Sequence, residues 1–247
     1  EPLYRRALEG RERVLGVDHR KTLTSVNTLG TLLEALGKFE EAEILLRRDL
    51  EGSERVLGVD HPDTLISIND LGMLLKALGK LDEAEMLCRR NLEARERVLG
   101  VDHPYTLTSV NNLGTLLREQ GKFDEAELMI RRALESKERV LGVDHPDTLL
   151  SMYSLASVLQ NKGDLSLAES FARRSLEGYA SHNMNSDVKD GVEQLSDILI
   201  RQNKKEEATA LKKMYLYIFR PRPSRLQMHQ SRVEYHMHIS STVANDA

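Results

Sequence analysis

Apolar residues recur at spacings of three and four along most of the chain, which is the pattern of amphipathic helices. In one stretch the apolar face carries Val110, Leu113, Gly114 and Leu117. A second stretch begins after Gly121 and has the same spacing at Ala126, Met129, Ile130, Ala133 and Leu134. The glycine between the two stretches indicates a tight turn. The pattern therefore predicts a helix–turn–helix pair.

This pair returns at a fixed period, because the hexapeptide VLGVDH stands at residues 14–19, 56–61, 98–103 and 140–145, in steps of 42. Repeated helical pairs stack into a solenoid. We therefore predict an all-α array over residues 1–219. Its parts are a partial repeat 1–22, four repeats at 23–64, 65–106, 107–148 and 149–186, and a degenerate capping repeat at 187–219. Residues 220–247 have no sustained period and are predicted to be a disordered tail.

The hexapeptide itself predicts a joint between helices. Leu141 would end one helix, and Gly142 would adopt the left-handed conformation that favours glycine after a helix. Pro146 suits the first position of the next helix, where its missing N–H has no cost. The alternative is a catalytic or metal box. Packed helices lie about 8–10 Å apart, whereas zinc–nitrogen bonds are about 2 Å long. We therefore assign a structural role to the four histidines of the hexapeptides, His19, His61, His103 and His145.

Small residues recur inside both helices of the pair. A glycine within the first helix costs about 1 kcal/mol relative to alanine, so Gly30, Gly72 and Gly114 are expected to let another backbone approach closely. In the second helix the matching small residues are Ala42, Ala84, Ala126 and Ala168. This arrangement resembles the tetratricopeptide repeat, whose usual period is 34 residues.

The 42-residue unit, with its segments RERVLGVDHP, NNLGTLL and GKFDEAE, is similar to the tetratricopeptide repeats of kinesin light chains over residues 1 to about 180. The resemblance implies a right-handed superhelix whose inner groove binds short peptides of cargo proteins, without catalysis. A light chain also has a heptad coiled coil that binds the motor. No such run occurs here, and the chain lacks an initial Met, so we expect a fragment whose missing N-terminal region would hold any kinesin connection.

The same repeat style is found in nephrocystin-like proteins and in nucleotide-binding signalling proteins. The alternative function is therefore a sensor or oligomerisation arm of a larger signalling protein of that kind. An enzyme is the third and least favoured possibility.

The first helix of each pair is expected to line the inner groove. The candidate peptide-binding residues there are Asn27, Thr31, Asn69, Lys76, Asn111, Asn112, Thr115, Arg118 and Tyr153. The asparagines would either hydrogen-bond the neighbouring helix in a solvated inner face or bind the backbone of an extended peptide. Lys76 and Arg118 would bind acidic side chains. The expected partners are therefore proteins that present short linear, partly acidic, peptides.

The second helices carry an arginine pair preceded by a glutamate four residues earlier, as in Glu43 with Arg47–Arg48. This spacing stabilises a helix, so a ladder on the outer face is favoured over an anion-binding stripe. Asp49 stands in a register that Ala7 and Ala133 fill in two repeats and that Asn91 and Ser175 fill in two others. If this site is packed against the next helix, Asp49 costs stability unless it finds a partner. Cys88 occupies an apolar register and is expected to be a buried, inert thiol.

Composition narrows the function further. The net charge of −4 argues against general nucleic-acid binding, although the tail carries +2 and either is solvated or binds RNA or an acidic partner. The single cysteine fits a reducing compartment, and no long apolar run or signal peptide predicts a membrane role. We expect a cytoplasmic protein, cytoskeleton-associated if a motor is bound. No catalytic, cofactor or metal set is evident, since His236 and His238 lack a third ligand.

Overall fold

The computed structural model describes residues 1–182 and 184–218, and within them the chain forms eleven helices and no β-strand. The helices are α1 (Pro2–Leu15), α2 (Arg20–Ala35), α3 (Phe39–Leu57), α4 (Pro62–Ala77), α5 (Leu81–Leu99), α6 (Pro104–Glu119), α7 (Phe123–Leu141), α8 (Pro146–Lys162), α9 (Leu165–Ser181), α10 (Asn185–Arg201) and α11 (Lys205–Ile218). From α2 onward they form five antiparallel pairs, so the all-α solenoid of helix–turn–helix repeats is confirmed.

Each helix packs against the next one in sequence, and the first helices of successive pairs also contact each other, as in α2 with α4, α6 with α8 and α8 with α10. The first helices therefore form the inner, concave layer and the second helices the outer, convex layer. The apolar stripes of both layers merge into one continuous core, in which Leu33, Leu75, Leu117 and Leu159 occupy the same position of successive first helices.

The glycines in the first helices accommodate side chains of the second helices. A Cβ atom on Gly30 would lie 2.7 Å from Leu46 Cδ2, and one on Gly114 would lie 2.5 Å from Ile130 Cγ1. The expected approach of another backbone is also present, because the carbonyl oxygens of Ala42, Ala84 and Ala126 lie 3.6, 4.0 and 3.4 Å from Cβ atoms placed on Gly30, Gly72 and Gly114, although the nearest atoms belong to side chains. At Gly72 the facing residue is the smaller Cys88, and the distance to Sγ grows to 3.5 Å.

The hexapeptide joins consecutive helices, as predicted. The histidine caps the following helix, because His145 Nδ1 accepts a hydrogen bond of 3.2 Å from the backbone N–H of Asp147. His19, His61 and His103 make the same bond at α2, α4 and α6. Gly142 has the positive φ predicted for the glycine after the helix, 92°, but its ψ of 163° is extended rather than helical, a conformation that only glycine adopts readily.

The predicted glutamate–arginine pairs are confirmed and extend between repeats. Arg47 binds Glu43 in its own helix at 2.9 Å and Glu83 of the next pair at 2.7 Å. Arg48 binds Glu12 of α1, in the preceding partial repeat, at 2.5 Å. The aspartate of the hexapeptide also takes part, because Asp102 accepts from Arg139 of the next pair at 2.7 Å. These ion pairs form a ladder along the convex layer.

The final pair, α10 and α11, departs from the other four in sequence but keeps their turn. Asn203 has φ 65° at the place that Gly37, Gly79, Gly121 and Gly163 fill in the earlier pairs. Helix α10 begins at Asn185, two residues before the predicted start of the capping repeat at 187. The predicted disordered tail 220–247, with His236 and His238, lies outside the described residues, as does residue 219.

Candidate peptide-binding groove

All nine predicted groove residues lie on the inner helices. Asn27 and Thr31 are on α2, Asn69 and Lys76 on α4, and Tyr153 on α8; Asn111, Asn112, Thr115 and Arg118 are all on α6. Eight of them are half-buried. Asn111 differs, because its side chain is 5% exposed and its Oδ1 is buried without a hydrogen-bond partner. It is therefore inaccessible to a ligand in this conformation.

The amides of the inner layer are bonded to the neighbouring helices. Asn27 Nδ2 donates to Asp49 at 3.1 Å and to Asp70 at 3.0 Å, which links α2, α3 and α4. Asn112 Nδ2 donates to Asn69 Oδ1 at 3.0 Å, which links α6 to α4. These bonds favour the first of the two interpretations of the asparagines. They also fix the orientation of each amide before any ligand arrives.

Carboxylates that the sequence interpretation missed lie beside the predicted groove cations. Lys76 Nζ is 3.0 Å from Glu119 Oε1, and Arg118 is 3.6 Å from the same atom. Toward the N-terminal end of the groove, burial raises the pKa of Glu34, and the negative charge of the nearby Asp70 raises it further. The signal for Asp70 was present in the sequence, because it occupies the same position of its repeat as Asn112.

A cavity of about 260 Å³ opens between α6, α8 and α10. Its lining includes Arg118, Tyr153 and Ser157, together with three acids of α10, Asp190, Glu193 and Asp197. Gln194 anchors α10 here, because its Nε2 donates to Ser157 Oγ at 2.7 Å and to the Tyr153 carbonyl at 3.0 Å. Helix α10 was absent from the predicted site because its sequence had lost the repeat signature.

A larger cavity, of about 440 Å³, opens between α2, α3 and α4. Its lining includes Thr24 and Asn27 of α2, Asp49 and Ser53 of α3, and Ile66 and Ser67 of α4. Asp49 is only 2% exposed, and burial raises its pKa. The unexplained aspartate of the sequence therefore has polar neighbours: it accepts hydrogen bonds from Asn27 and, at 3.4 Å, from Ser53.

Tetratricopeptide repeat models match residues 1–21, 22–63 and 63–139, which is more than half of the chain. The chain belongs to the tetratricopeptide repeat family. No protein among those with curated descriptions matches it. The resemblance seen in the sequence is therefore confirmed for the family, and the solved structures extend it to the fold of kinesin light chain repeats.

Three solved structures illustrate this tetratricopeptide fold. The nearly identical repeats named for a kinesin light chain of Podosopora anserina are 22% identical, with a TM-score of 0.69, over 82% of this chain and 99% of that one. BtubC (BKLC) from P. vanneervenii is 20% identical, with a TM-score of 0.73, over 91% and 93%. A Rap protein complexed with Competence and Sporulation Factor is 12% identical, with a TM-score of 0.68, over 87% and 62%.

Within residues 1–182 and 184–218, this tetratricopeptide array contains no cluster of three His, Cys, Asp or Glu residues placed to hold a metal ion. Burial raises the pKa of the Cys88 thiol to about 11, and a thiol is a poor nucleophile until it is ionised. None of the described helices is apolar over a length that would cross a membrane. The fold is of a kind that typically serves as an interaction scaffold.

Proposed function

We propose that this chain is a non-catalytic scaffold that binds short, extended peptide segments of protein partners in its concave groove, as kinesin light chains bind cargo. One observation carries the proposal: half-buried polar side chains follow the inner layer from α2 to α10, with a cavity near each end. Tetratricopeptide repeat proteins bind protein partners, and the similar Rap protein was solved in complex with Competence and Sporulation Factor.

The fixed amides support recognition of a peptide backbone. Both Nδ2 hydrogens of Asn27 have acceptors, and Asn112 Nδ2 has one. Within residues 1–182 and 184–218, neither Asn27 Oδ1 nor Asn112 Oδ1 accepts a hydrogen bond, and neither oxygen is among the buried unpaired atoms. Each is therefore an accessible acceptor for a backbone N–H, in an orientation that costs little further entropy.

The charge of the preferred ligand is part of the proposal. The sequence predicts acidic segments because of Lys76 and Arg118. Both cations already lie beside Glu119, and Glu34 and Asp70 add negative charge to the N-terminal half of the groove. This balance favours segments that also carry positive charge. The acidic preference stays a prediction, as do the kinesin connection and a cytoplasmic location.

A peptide array followed by titration calorimetry with the purified chain tests the proposal. Asn112→Ala removes one free acceptor from the groove, and we expect about a fivefold loss of affinity for a selected peptide, as for one hydrogen bond. Arg132→Ala on the convex layer removes only its ion pair with Glu96 and is the matched control. Unchanged affinity in the groove variant, or equal losses in both, would contradict the proposal.

Arg118→Ala in the same assay addresses the acidic preference. If acidic segments bind through Arg118, their affinity falls while that of neutral segments is retained. If acidic segments bind equally well to the variant, the acidic preference is wrong, but groove binding can still stand.

A further inference from the structure

The second helices of three repeats carry a cation at one fixed position, and in two of them it is buried. Positions 11, 95 and 137, at multiples of the 42-residue period, hold the exposed Arg11 and the buried Arg95 and Lys137, while position 53 holds Ser53 and position 179 holds Tyr179. Each cation reaches the first helix of the next pair. Arg95 donates to the Tyr105 carbonyl at 2.8 Å and to Ser109 Oγ at 3.0 Å.

The same contact recurs at the other two joints. Lys137 Nζ donates to the Asp147 carbonyl at 3.2 Å and to Ser151 Oγ at 3.0 Å. Arg11 donates to the Lys21 carbonyl at 3.1 Å and to Ser25 Oγ. The acceptors are equivalent in all three cases: one backbone carbonyl and one serine hydroxyl in the first turns of the following helix.

At the joint of Ser53 these acceptors have no cation. Asp63 and Ser67 occupy the equivalent positions and line the 440 Å³ cavity described above. Ser53 is too short to reach them and instead hydrogen-bonds Asp49 in its own helix. The cavity therefore lies where the neighbouring joints hold a guanidinium or ammonium group. Its volume is within the range of about 300–1,000 Å³ that ligand pockets span.

The charge at this joint is also reversed. Asp49 stands where the other second helices carry Ala7, Asn91, Ala133 and Ser175, none of them charged. Asp49 is 2% exposed, and it makes no ion pair in the described part of the chain. Its hydrogen-bond partners are the amide of Asn27 and hydroxyl groups, and the nearby Asp70 adds a second negative charge. The two following joints each bury a cation, with Asp70 near Arg95 and Asp147 near Lys137, whereas this joint buries a carboxylate that has no ion pair. A buried charge is costly until it is paired.

The cavity is open on the concave side. Thr24 of α2 and Ile66 of α4 are both exposed and line it from the inner helices, while Asp49 and Ser53 are buried at its base. Arg20 and Lys21 also belong to its lining. Arg20 is paired with Asp63 at 2.6 Å and Lys21 is exposed, so neither supplies the missing charge at the base.

We propose that this cavity binds the guanidinium group of an arginine side chain carried by the peptide segment in the groove. The proposal rests on the peptide-binding function proposed above. The bound arginine would take the place that Arg95 fills at the next joint, donating to the Asp49 carboxylate, to Ser67 Oγ and to the Asp63 carbonyl. Guanidinium has five donors in a planar fork, so it satisfies this set of acceptors better than the ammonium of lysine does.

Calorimetry with the whole chain tests this. A peptide selected on an array is compared with versions in which its arginine becomes citrulline, which has nearly the same shape and no charge, or lysine. We expect citrulline to weaken binding about tenfold or more, as for a charged hydrogen bond. Asp49→Asn, which copies Asn91, should abolish the difference between arginine and citrulline. Glu51→Gln, an exposed change on the same helix, should leave it intact.

Ser53→Arg supplies the cation from within the chain, as at the next joint. We expect the variant to melt at a higher temperature than the parent and to lose the preference for arginine over citrulline. If Ser53→Arg does not fold, the comparison of arginine and citrulline peptides on Asp49→Asn still tests the proposal. Equal affinity for the arginine and citrulline peptides, or an arginine preference that survives in both variants, would overturn the proposal.

A small probe separates this pocket from the groove function. Nα-acetyl-arginine amide at millimolar concentration should raise the melting temperature of the parent chain and not that of Ser53→Arg. If the probe behaves so while no peptide binds, the pocket stands and the proposed function fails. If peptides bind the groove without preference for arginine and the probe has no effect, the proposed function stands and the pocket fails.

Discussion

The glycines of the inner helices offer a matched pair of substitutions. Gly72 and Gly114 occupy the same position of successive repeats, but Gly72 faces Cys88 while Gly114 faces Ile130. Alanine at either position gains about 1 kcal/mol of helix propensity. The two substitutions therefore differ only in what the new methyl group meets.

The distances set the expected magnitudes. At Gly72 the added Cβ lies 3.5 Å from Cys88 Sγ, an ordinary contact, so Gly72→Ala should stabilise the fold by up to about 1 kcal/mol. At Gly114 it lies 2.5 Å from Ile130 Cγ1. That atom sits on a β-branched side chain with little rotamer freedom, and overpacking of this kind costs about 1–3 kcal/mol. Gly114→Ala should therefore destabilise.

One repeat of the chain already has alanine at both of these positions, so the added methyl group faces a smaller side chain there. Ala156 and Ala172, both fully buried, stand in α8 and α9 at the positions of Gly114 and Ile130. Chemical denaturation of the two single variants, and of Gly114→Ala combined with Ile130→Ala, measures the coupling in a double-mutant cycle. We expect Ile130→Ala to lower the free energy of unfolding by less in the Gly114→Ala variant than in the parent chain. Equal effects of Gly72→Ala and Gly114→Ala, or an absence of coupling, would refute the packing explanation.

Three further predictions concern buried and capping groups. Burial lowers the pKa of Lys137 to about 8. Above that pH the native chain lacks a proton that the unfolded chain keeps up to about pH 10.5, so the free energy of unfolding should rise by about 3 kcal/mol across this window. Denaturation curves of Lys137→Met should lack that rise, and identical pH profiles would contradict it. His145→Ala should cost about 1 kcal/mol through the lost cap, while His145→Asn should melt near the parent; equal melting temperatures for all three would refute the capping role. Hydrogen bonds lower the pKa of Glu85 to about 2, and the bond from Lys122 has a larger effect than the bond from Arg89. Its stabilising contribution is complete above pH 4.5 and lost as pH falls toward 2, so acid unfolding of Glu85→Gln should depend less on pH in that range than that of the parent.

The regular part of the fold was predictable because local signals agree with one another. Pattern, turn glycines and the proline at the start of α4, α6 and α8 all indicate the same helix boundaries, and the structure has them. The histidine cap was missed because histidine is a rare capping residue. The only sign of this cap in the sequence was that each histidine stands two residues before a backbone N–H of the first helical turn.

The candidate site was less predictable because it depends on differences between repeats. The sequence identified the inner positions from their shared register, and they do lie on the inner helices. It did not identify α10 as part of the groove, since that helix lacks the Leu–Gly pair. The cavity beside Asp49 also needed the structure, because an empty place at Ser53 is evident only when Arg95 and Lys137 are seen to fill it elsewhere.

The convex ladder has a consequence for how such an array changes its length. Its ion pairs join a repeat only to itself or to its immediate neighbours. If residues 65–106 were excised in frame, Arg47 would meet Glu125 where it now meets Glu83, and Arg132 would meet Glu54 where it now meets Glu96. Each residue of the convex ladder that loses its partner in the excision would therefore meet a residue of the same charge as the one it lost. Duplication of a single repeat would therefore lengthen the inner groove by one step, and loss of a repeat would shorten it. In both cases each new junction would already have oppositely charged partners in place.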